Sequence, residues 1–440
     1  MIGYNSPFSY RYGTKTMRGA WSQVQRYRLL SGIWTKHQNK LAELGSIPLA
    51  KFPDPAKSLS DEQVEGLILE AREAEKEVGH EIVAYLSVYS KHAPVGVPIM
   101  AHAGLTSSDV DDQAVLTQIL FSLCYLYYEV RSLILNQLGA TRFKGSERKW
   151  LMGRTHLQPA EPTTLLHRFL LYIQDLTNWL NQADLIIKEL SKYRGLMSGS
   201  VGNYLNEIVA VKAFANSPSI FPIKDKRAKS QTLPRYLELQ VANLLDQLAA
   251  ILHKAAFDYR LESGFGNTYE GEAENRIGSS AMPYKRNPIN AESIDSLCRH
   301  VHHLCNNAWD NIAWQGLERT LDDSANRRAW LPEAFIAMSE ILERAKILFK
   351  DYEMIESIDP YDWNKLWIQA REKAFNPISA AATRYDQPKQ QFKFGEQEII
   401  ASENADLLLL EKCLNRARKV NSWFFKFKVG SPYDLLEEKL

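Results

Sequence analysis

Cysteine is scarce. The 440 residues hold four (Cys124, Cys298, Cys305 and Cys413), with no closely spaced pair of the secreted type, so a reducing compartment fits better than a disulfide framework. Long apolar runs are missing too. No uncharged apolar stretch approaches the ~20 residues that a membrane span requires. The opening Met1-Ile2-Gly3-Tyr4-Asn5-Ser6-Pro7 has no basic segment leading into an apolar one. The sequence therefore predicts a cytoplasmic protein with no membrane partner. Charge of one sign is also lacking. The 53 Lys and Arg against 52 Asp and Glu leave a net +1, which argues against affinity built on neutralising nucleic-acid phosphates. Alternating runs of Val, Ile, Thr and aromatic residues between tight-turn dipeptides are sparse, as are repeats and low-complexity tracts.

Three strong helical stripes are present. The first runs Phe169, Ile173, Leu176, Leu180, Ala183, Ile187 and Leu190. The second runs Leu237, Val241, Leu244, Leu248, Ile251 and Ala255. The third runs Ile294, Cys298, Val301, Cys305, Ala308 and Ile312. Alternating steps of three and four residues put each set on one face of a helix and imply a left-handed bundle. The fold class predicted is all-α. Helices of this length with apolar seams on more than one side also predict an oligomer. The breaks suggest three segments: an N-terminal helical domain over 1–98, ending at Ala93-Pro94-Val95-Gly96-Val97-Pro98; a central bundle over 99–338; and a C-terminal helical domain over 339–440.

Two loops invite a ligand. Ser198-Gly199-Ser200-Val201-Gly202 could bring backbone N–H groups to an anion, but its glycine spacing alone is a weak signal and a plain inter-helix turn is the favoured reading. Residues 262–288 carry Gly264, Gly266, Gly271 and Gly278, the composition of an active-site lid. It ends in Gly278-Ser279-Ser280-Ala281-Met282-Pro283-Tyr284-Lys285-Arg286-Asn287-Pro288. Pro288 suits a first helical turn and Asn287 can cap it. That would leave Ser279, Lys285 and Asn287 at a helix N-terminus whose partial positive charge favours anions. Cys298, His302 and Cys305 share a helical face and could offer zinc three ligands. Both cysteines fall on the apolar seam, however, so buried thiols are the favoured reading and no metal is expected.

The loop at 278–288 resembles the signature of the fumarase/aspartase superfamily, and its Ala-Met-Pro-Tyr-Lys-Arg form resembles the adenylosuccinate lyase family. Thr106-Ser107-Ser108-Asp109-Val110 is similar to the first family box and Gly153-Arg154-Thr155-His156-Leu157-Gln158-Pro159-Ala160 to the second. The stretch Glu318 to Arg328 is similar to one typical of adenylosuccinate lyases. The likeness runs from about Tyr4 to about Ala337 and fades beyond. It implies a fumarase/aspartase-like fold whose long central helices form the core of a homotetramer with shared active sites. It also implies cofactor-free anti elimination of fumarate from a small succinyl nucleotide. That substrate is adenylosuccinate, with the succinylated aminoimidazole carboxamide ribotide as a second possibility.

The resemblance further implies roles for individual residues. Ser279 would be the general base, His156 the general acid at the leaving nitrogen, and Glu292 the carboxylate that orients this histidine and raises its pKa. Lys285, Asn287, Thr106, Ser107 and Thr155 would cradle the succinyl carboxylates. Arg11, Tyr12, Arg319, Ser324 and Arg328 would hold the ribose phosphate, Gln231 would lie near succinyl carboxylate and base, and His80 and His102 would also belong to the site. The chemistry suits elimination: a proton leaves a carbon beside a carboxylate, a dianion forms, and nitrogen is protonated from the other side. Two alternatives stand beside this reading. One is a superfamily lyase acting on another N-succinyl compound, suggested by the divergent C-terminal quarter. The other is a non-catalytic protein on the same scaffold, which would be expected to lack Ser279 or His156.

Overall fold

A computed structural model describes residues 4–44, 51–94, 99–139, 149–206, 227–270, 282, 285–350, 352 and 396–419. Among these residues the chain runs through α1 (Lys15–Ala20), α2 (Gln23–Leu44), α3 (Asp61–Val78), α4 (Glu81–His92) and α5 (Ser107–Ser132), which passes into a wider turn over Leu133–Gly139. A hairpin follows, β1 (Trp150–Thr155) and β2 (Gln158–Thr164). Then come α6 (Leu165–Ser191), α7 (Tyr236–Gly264), α8 (Ile289–Ala313), α9 (Asp323–Lys350) and α10 (Glu396–Arg418).

The three stripes become α6, α7 and α8. Phe169, Ile173, Leu176, Leu180, Ala183, Ile187 and Leu190 are all buried on α6, and Leu237, Val241, Leu244, Leu248 and Ala255 are buried on α7. On α8 the seam runs through Ile294, Cys298, Val301, Cys305 and Ala308. The ends follow ordinary capping chemistry. Thr164 caps α6 by accepting from His167 N, while Ser60 and Gln63 form a reciprocal capping box on α3 and Gly79 closes that helix in the left-handed region.

One helix escapes period-based reading. α5 is buried on every side from Leu116 to Cys124, so its sequence shows no polar face. It belongs to both hydrophobic cores. Val110 and Ala114 complete the core of the N-terminal helices with Trp34, Val64, Val88 and Tyr89, whereas Leu120, Leu123 and Val130 pack into the bundle. α5 is thus the axle joining the two. α9 continues as helix through residues 338 and 339, and its end packs Phe349 edge-on against Phe169 at 5.9 Å. α10 docks through buried Leu410, Cys413, Leu414 and Ala417, and Arg131 donates to the Ala417 carbonyl at 2.9 Å.

Strand structure is present where the sequence showed almost none. The only described sheet is a two-stranded antiparallel hairpin pairing Thr155 with Gln158 across its turn. The turn residues His156 and Leu157 have φ of 53° and 62°. Such a two-residue turn normally recruits Asn-Gly, so two side chains with a Cβ here cost on the order of 1 kcal/mol or more each. A hairpin with His-Leu at its turn carries no ordinary strand-and-turn signal, so the sequence pattern does not disclose it.

The zinc reading finds no support in the arrangement. The Cys298 and Cys305 thiols are buried, and burial pushes Cys305 up to about 12 and Cys298 up as well. His302 faces the Asp246 carboxylate, with Nδ1 2.9 Å from Oδ1. Among the described residues no cluster of three His, Cys, Asp or Glu side chains could hold a metal.

If the bundle seam supplies the stability, Leu248→Ala should lower it by about 2–5 kcal/mol and Leu248→Met by less than about 1.5 kcal/mol in chemical denaturation. Equal effects would show that this contact is loosely packed.

Candidate active site

Three helix N-termini meet above the bundle, and a knot of buried charge holds them together. From α7, Arg235 reaches Asp323 of α9 (Nε to Oδ2, 2.6 Å) and Asp112 of α5 (Nη1 to Oδ1, 3.0 Å). From α9, Arg327 grips both oxygens of Glu238 and the same Asp112 oxygen, at 2.6–3.0 Å. Arg319 closes the set on Asp323 at 2.8 Å. Three guanidinium groups face three carboxylates, so the knot is neutral. Burial alone would raise the Asp112 pKa, but Arg235 and Arg327 overcome it and hold the group at about 2.

The knot floors a cavity of about 710 Å³, whose walls include His80, Ser107, Gln231, Arg319, Ser324 and Arg328. Six of the expected substrate residues, from four separate stretches of sequence, are thereby gathered in one place. His80 caps α4, its Nδ1 accepting from Val83 N at 3.4 Å, which leaves Nε2 to donate to Ser107 Oγ at 3.2 Å. Gln231 accepts from Ser108 Oγ at 3.3 Å and donates to the Ser200 carbonyl at 3.0 Å. Arg328 is exposed and pairs with Glu81 at 2.5 Å, and Glu81 also takes Arg26 at 2.6 Å. Pro332, within α9 and on the cavity wall, has no N–H to offer the Arg328 carbonyl one turn earlier, so that carbonyl lacks its helical partner.

The remaining expected residues that the structure describes lie off this cavity in the single chain. Arg11 is exposed, its guanidinium 5.8 Å from the Tyr12 ring, on a segment pinned to α9 by Gly13 N to Glu340 at 3.0 Å. Gly13 is obligatory there: at φ 83°, a Cβ would stand 2.3 Å from Ile336. His102 accepts from Trp34 Nε1 at 3.1 Å, and burial lowers its pKa, so it is neutral at physiological pH. Thr106 caps α5 in a capping box with Asp109. Thr155 and His156 are exposed at the hairpin tip, Glu292 is exposed in the first turn of α8, and Lys285 is exposed just before it. Asn287 is partly buried, and Ser279 lies outside the described residues.

Both anion cradles expected from sequence are already filled by the chain's own carboxylates. Asp109, fully buried, accepts from Ser198 N at 2.9 Å, Gly199 N at 3.1 Å and Lys229 Nζ at 3.1 Å. The small-residue loop thus wraps a side chain and not a ligand. At the start of α8 the N-cap is Pro288, without a side-chain cap bond, so Asn287 does not cap the helix. Glu270 does, accepting from Asn290 N at 3.1 Å and Ala291 N at 3.0 Å. The preceding helix also runs three residues into the segment read as the lid, to Gly264, with Glu262 buried against Arg168. Sequence reasoning gave no role to Asp109, Asp112, Arg235 or Arg327. The Asp-Val-Asp-Asp run beginning at Asp109 and the Arg-Arg pair at 327–328 were the available signals.

Against known proteins, residues 78–302 match the family model described as Lyase. An adenylosuccinate lyase of Schistosoma mansoni is 32% identical over 351 residues, covering 77% of this chain and 71% of the relative. One from Schizosaccharomyces pombe is 30% identical, with the same coverage. One from Staphylococcus saprophyticus is 27% identical over 93% of this chain and 96% of its own. Among solved structures, 3-carboxy-cis,cis-muconate lactonizing enzyme from Pseudomonas putida superposes with a TM-score of 0.62 at 17% identity, covering 94% of this chain and 99% of its own. A fumarate lyase from Mesorhizobium gives 0.56 at 17% identity, covering 99% of each. The fold is therefore the all-α fumarase/aspartase type.

Breaking the charge knot from one side leaves a buried charge unpaired, so Arg327→Met should cost about 3–5 kcal/mol by denaturant titration. The depressed Asp112 pKa stabilises the fold at any pH above its unfolded value of about 4, and that stability is lost as pH falls towards 2. Asp112→Asn should lower stability at neutral pH and flatten this acid limb. An unchanged acid profile would assign the limb to other carboxylates.

Proposed function

The chain belongs to the lyase family, among the adenylosuccinate lyases, and on that premise we propose that it cleaves adenylosuccinate to AMP and fumarate by anti β-elimination. It is a carbon–nitrogen lyase of purine nucleotide biosynthesis acting on a small-molecule substrate. The observation that carries the choice of a succinyl nucleotide is the convergence of Arg319, Ser324, Arg328, His80, Ser107 and Gln231 on one cavity. Of the two arginines, Arg319 is held by Asp323, whereas Arg328 is solvent-exposed beside Glu81 and can exchange that carboxylate for a phosphate at small cost.

Elimination divides the remaining work. Ser279 takes the proton from the carbon beside a carboxylate, and His156, steadied by Glu292, protonates the departing nitrogen. The helix-terminal N–H groups of α8 are occupied by Glu270. Charge growing on the substrate carboxylate therefore falls to side chains: Lys285, Asn287, Thr106 and Thr155. Arg11 and Tyr12 complete the phosphate end, and His102, neutral, contributes as a hydrogen-bonding wall.

The active sites are shared between subunits of a homotetramer. Supporting this, His156, Glu292 and Lys285 are exposed in the single chain and lie off the cavity that collects the nucleotide residues. Trp309, Trp314 and Leu317 are 61%, 71% and 92% exposed, apolar surface that wants a partner. No helix among the described residues is long and apolar enough to cross a membrane.

A spectrophotometric assay with adenylosuccinate, the succinylated carboxamide ribotide, argininosuccinate and aspartate in parallel tests the reading. Turnover of the first is expected, and its absence at micromolar enzyme would remove the proposal. Ser279→Ala and His156→Ala should each lower kcat by ~10²–10⁴ with the tetramer intact. A variant retaining near-wild-type kcat would show that its role is misassigned.

A further inference from the structure

His156 occupies the tip of a hairpin whose turn disfavours L-residues, so something outside the turn must hold it. The neighbouring residue supplies the hold. Arg154 donates from Nη1 to the Leu157 carbonyl at 3.2 Å, clasping the far side of the turn. The same guanidinium lies 4.1 Å above the Phe265 ring, at the C-terminal end of α7. Its Nε is buried with no hydrogen-bond partner among the described residues, and there the carbonyl and the ring are what hold the group. The contact forms one wall of a second cavity, of about 670 Å³, which Thr155 and Leu157 also line.

From this geometry we propose that Arg154 is a positioning residue for the acid-bearing turn, tying the strained His156-Leu157 backbone to the rigid end of α7 through Phe265. A cation on a ring face suits this task, because the planar guanidinium can stack and donate in its plane at once, which an ammonium cannot. Proton transfer requires the imidazole within hydrogen-bond reach of the leaving nitrogen, so a turn free to relax would lower the chemical step more than substrate binding. The inference deepens the reading of the chain as an adenylosuccinate lyase and rests on it for the kinetic arm of its test.

Arg154→Met, Phe265→Leu and the double variant should each show kcat on adenylosuccinate reduced by ~10- to 10²-fold, with KM within about threefold of wild type. The double variant should be no worse than the more damaged single one, because both remove one contact. Phe265→Tyr, which keeps the ring, should restore kcat. Hydrogen–deuterium exchange over residues 154–160 should quicken alike in Arg154→Met and Phe265→Leu. Multiplicative losses in the double variant, or kcat within twofold of wild type together with unchanged exchange, would overturn the proposal. If Arg154→Met fails to fold, Phe265→Leu and its exchange decide alone. Failure of the wild-type enzyme to turn over adenylosuccinate would instead sink the substrate reading, leaving exchange to judge Arg154.

Discussion

Two arginines with almost no access to water, Arg235 and Arg327, set the geometry on which the site depends. Each is shared between carboxylates from different helices, so α5, α7 and α9 are held at their N-termini by charge–charge contacts of 2.6–3.0 Å. Apolar packing in the bundle brings the helices together without regard to small axial slips. The knot removes that freedom, because a slip would leave a buried charge unpaired. Arg319, Ser324 and Arg328 are carried on the same stretch as Asp323 and Arg327, so fixing the buried pair fixes the cavity-facing set.

A similar economy appears at the two places where backbone N–H groups gather. A concave set of amides attracts any anion, and here the chain provides its own: Asp109 for the loop at 198–199 and Glu270 for the start of α8. Occupied cradles act as fasteners. Asp109 binds the small-residue loop and Lys229 to the first turns of α5, and Glu270 joins the two ends of the segment that carries the signature residues.

Amphipathic helices were legible because a half-buried helix writes its period into the sequence: Phe169 to Leu190 on α6 are buried as the stripe implies, and the α7 stripe from Leu237 to Ala255 is buried except at half-buried Ile251. α5 was not legible by the same rule, since burial on all sides leaves no polar face to break the pattern. The hairpin was hidden because His156 and Leu157 stand where Asn-Gly would announce a turn. At the site, motif residues such as Arg319 and Arg328 could be picked out by resemblance, and the cavity does gather them with His80, Ser107 and Gln231. Asp112, Arg235 and Arg327 could not, since a buried charge is recognised by its partners, which lie up to 215 residues away in sequence. Helix capping also misled: Asn287 has the right chemistry for a cap, but Glu270 brings a full charge to the same N–H groups.

The central claim is that acid and base reach one bound substrate from different copies of this chain. Mixing Ser279→Ala tetramers with His156→Ala tetramers, after brief dissociation and reassembly, tests it directly. Each variant alone should turn over adenylosuccinate ~10²–10⁴ times more slowly than wild type, and the mixture should regain a measurable fraction of wild-type turnover, because some sites then pair an intact serine with an intact histidine. A reassembled mixture as inactive as its parents would contradict the account, for it would place both groups in a site built by a single chain.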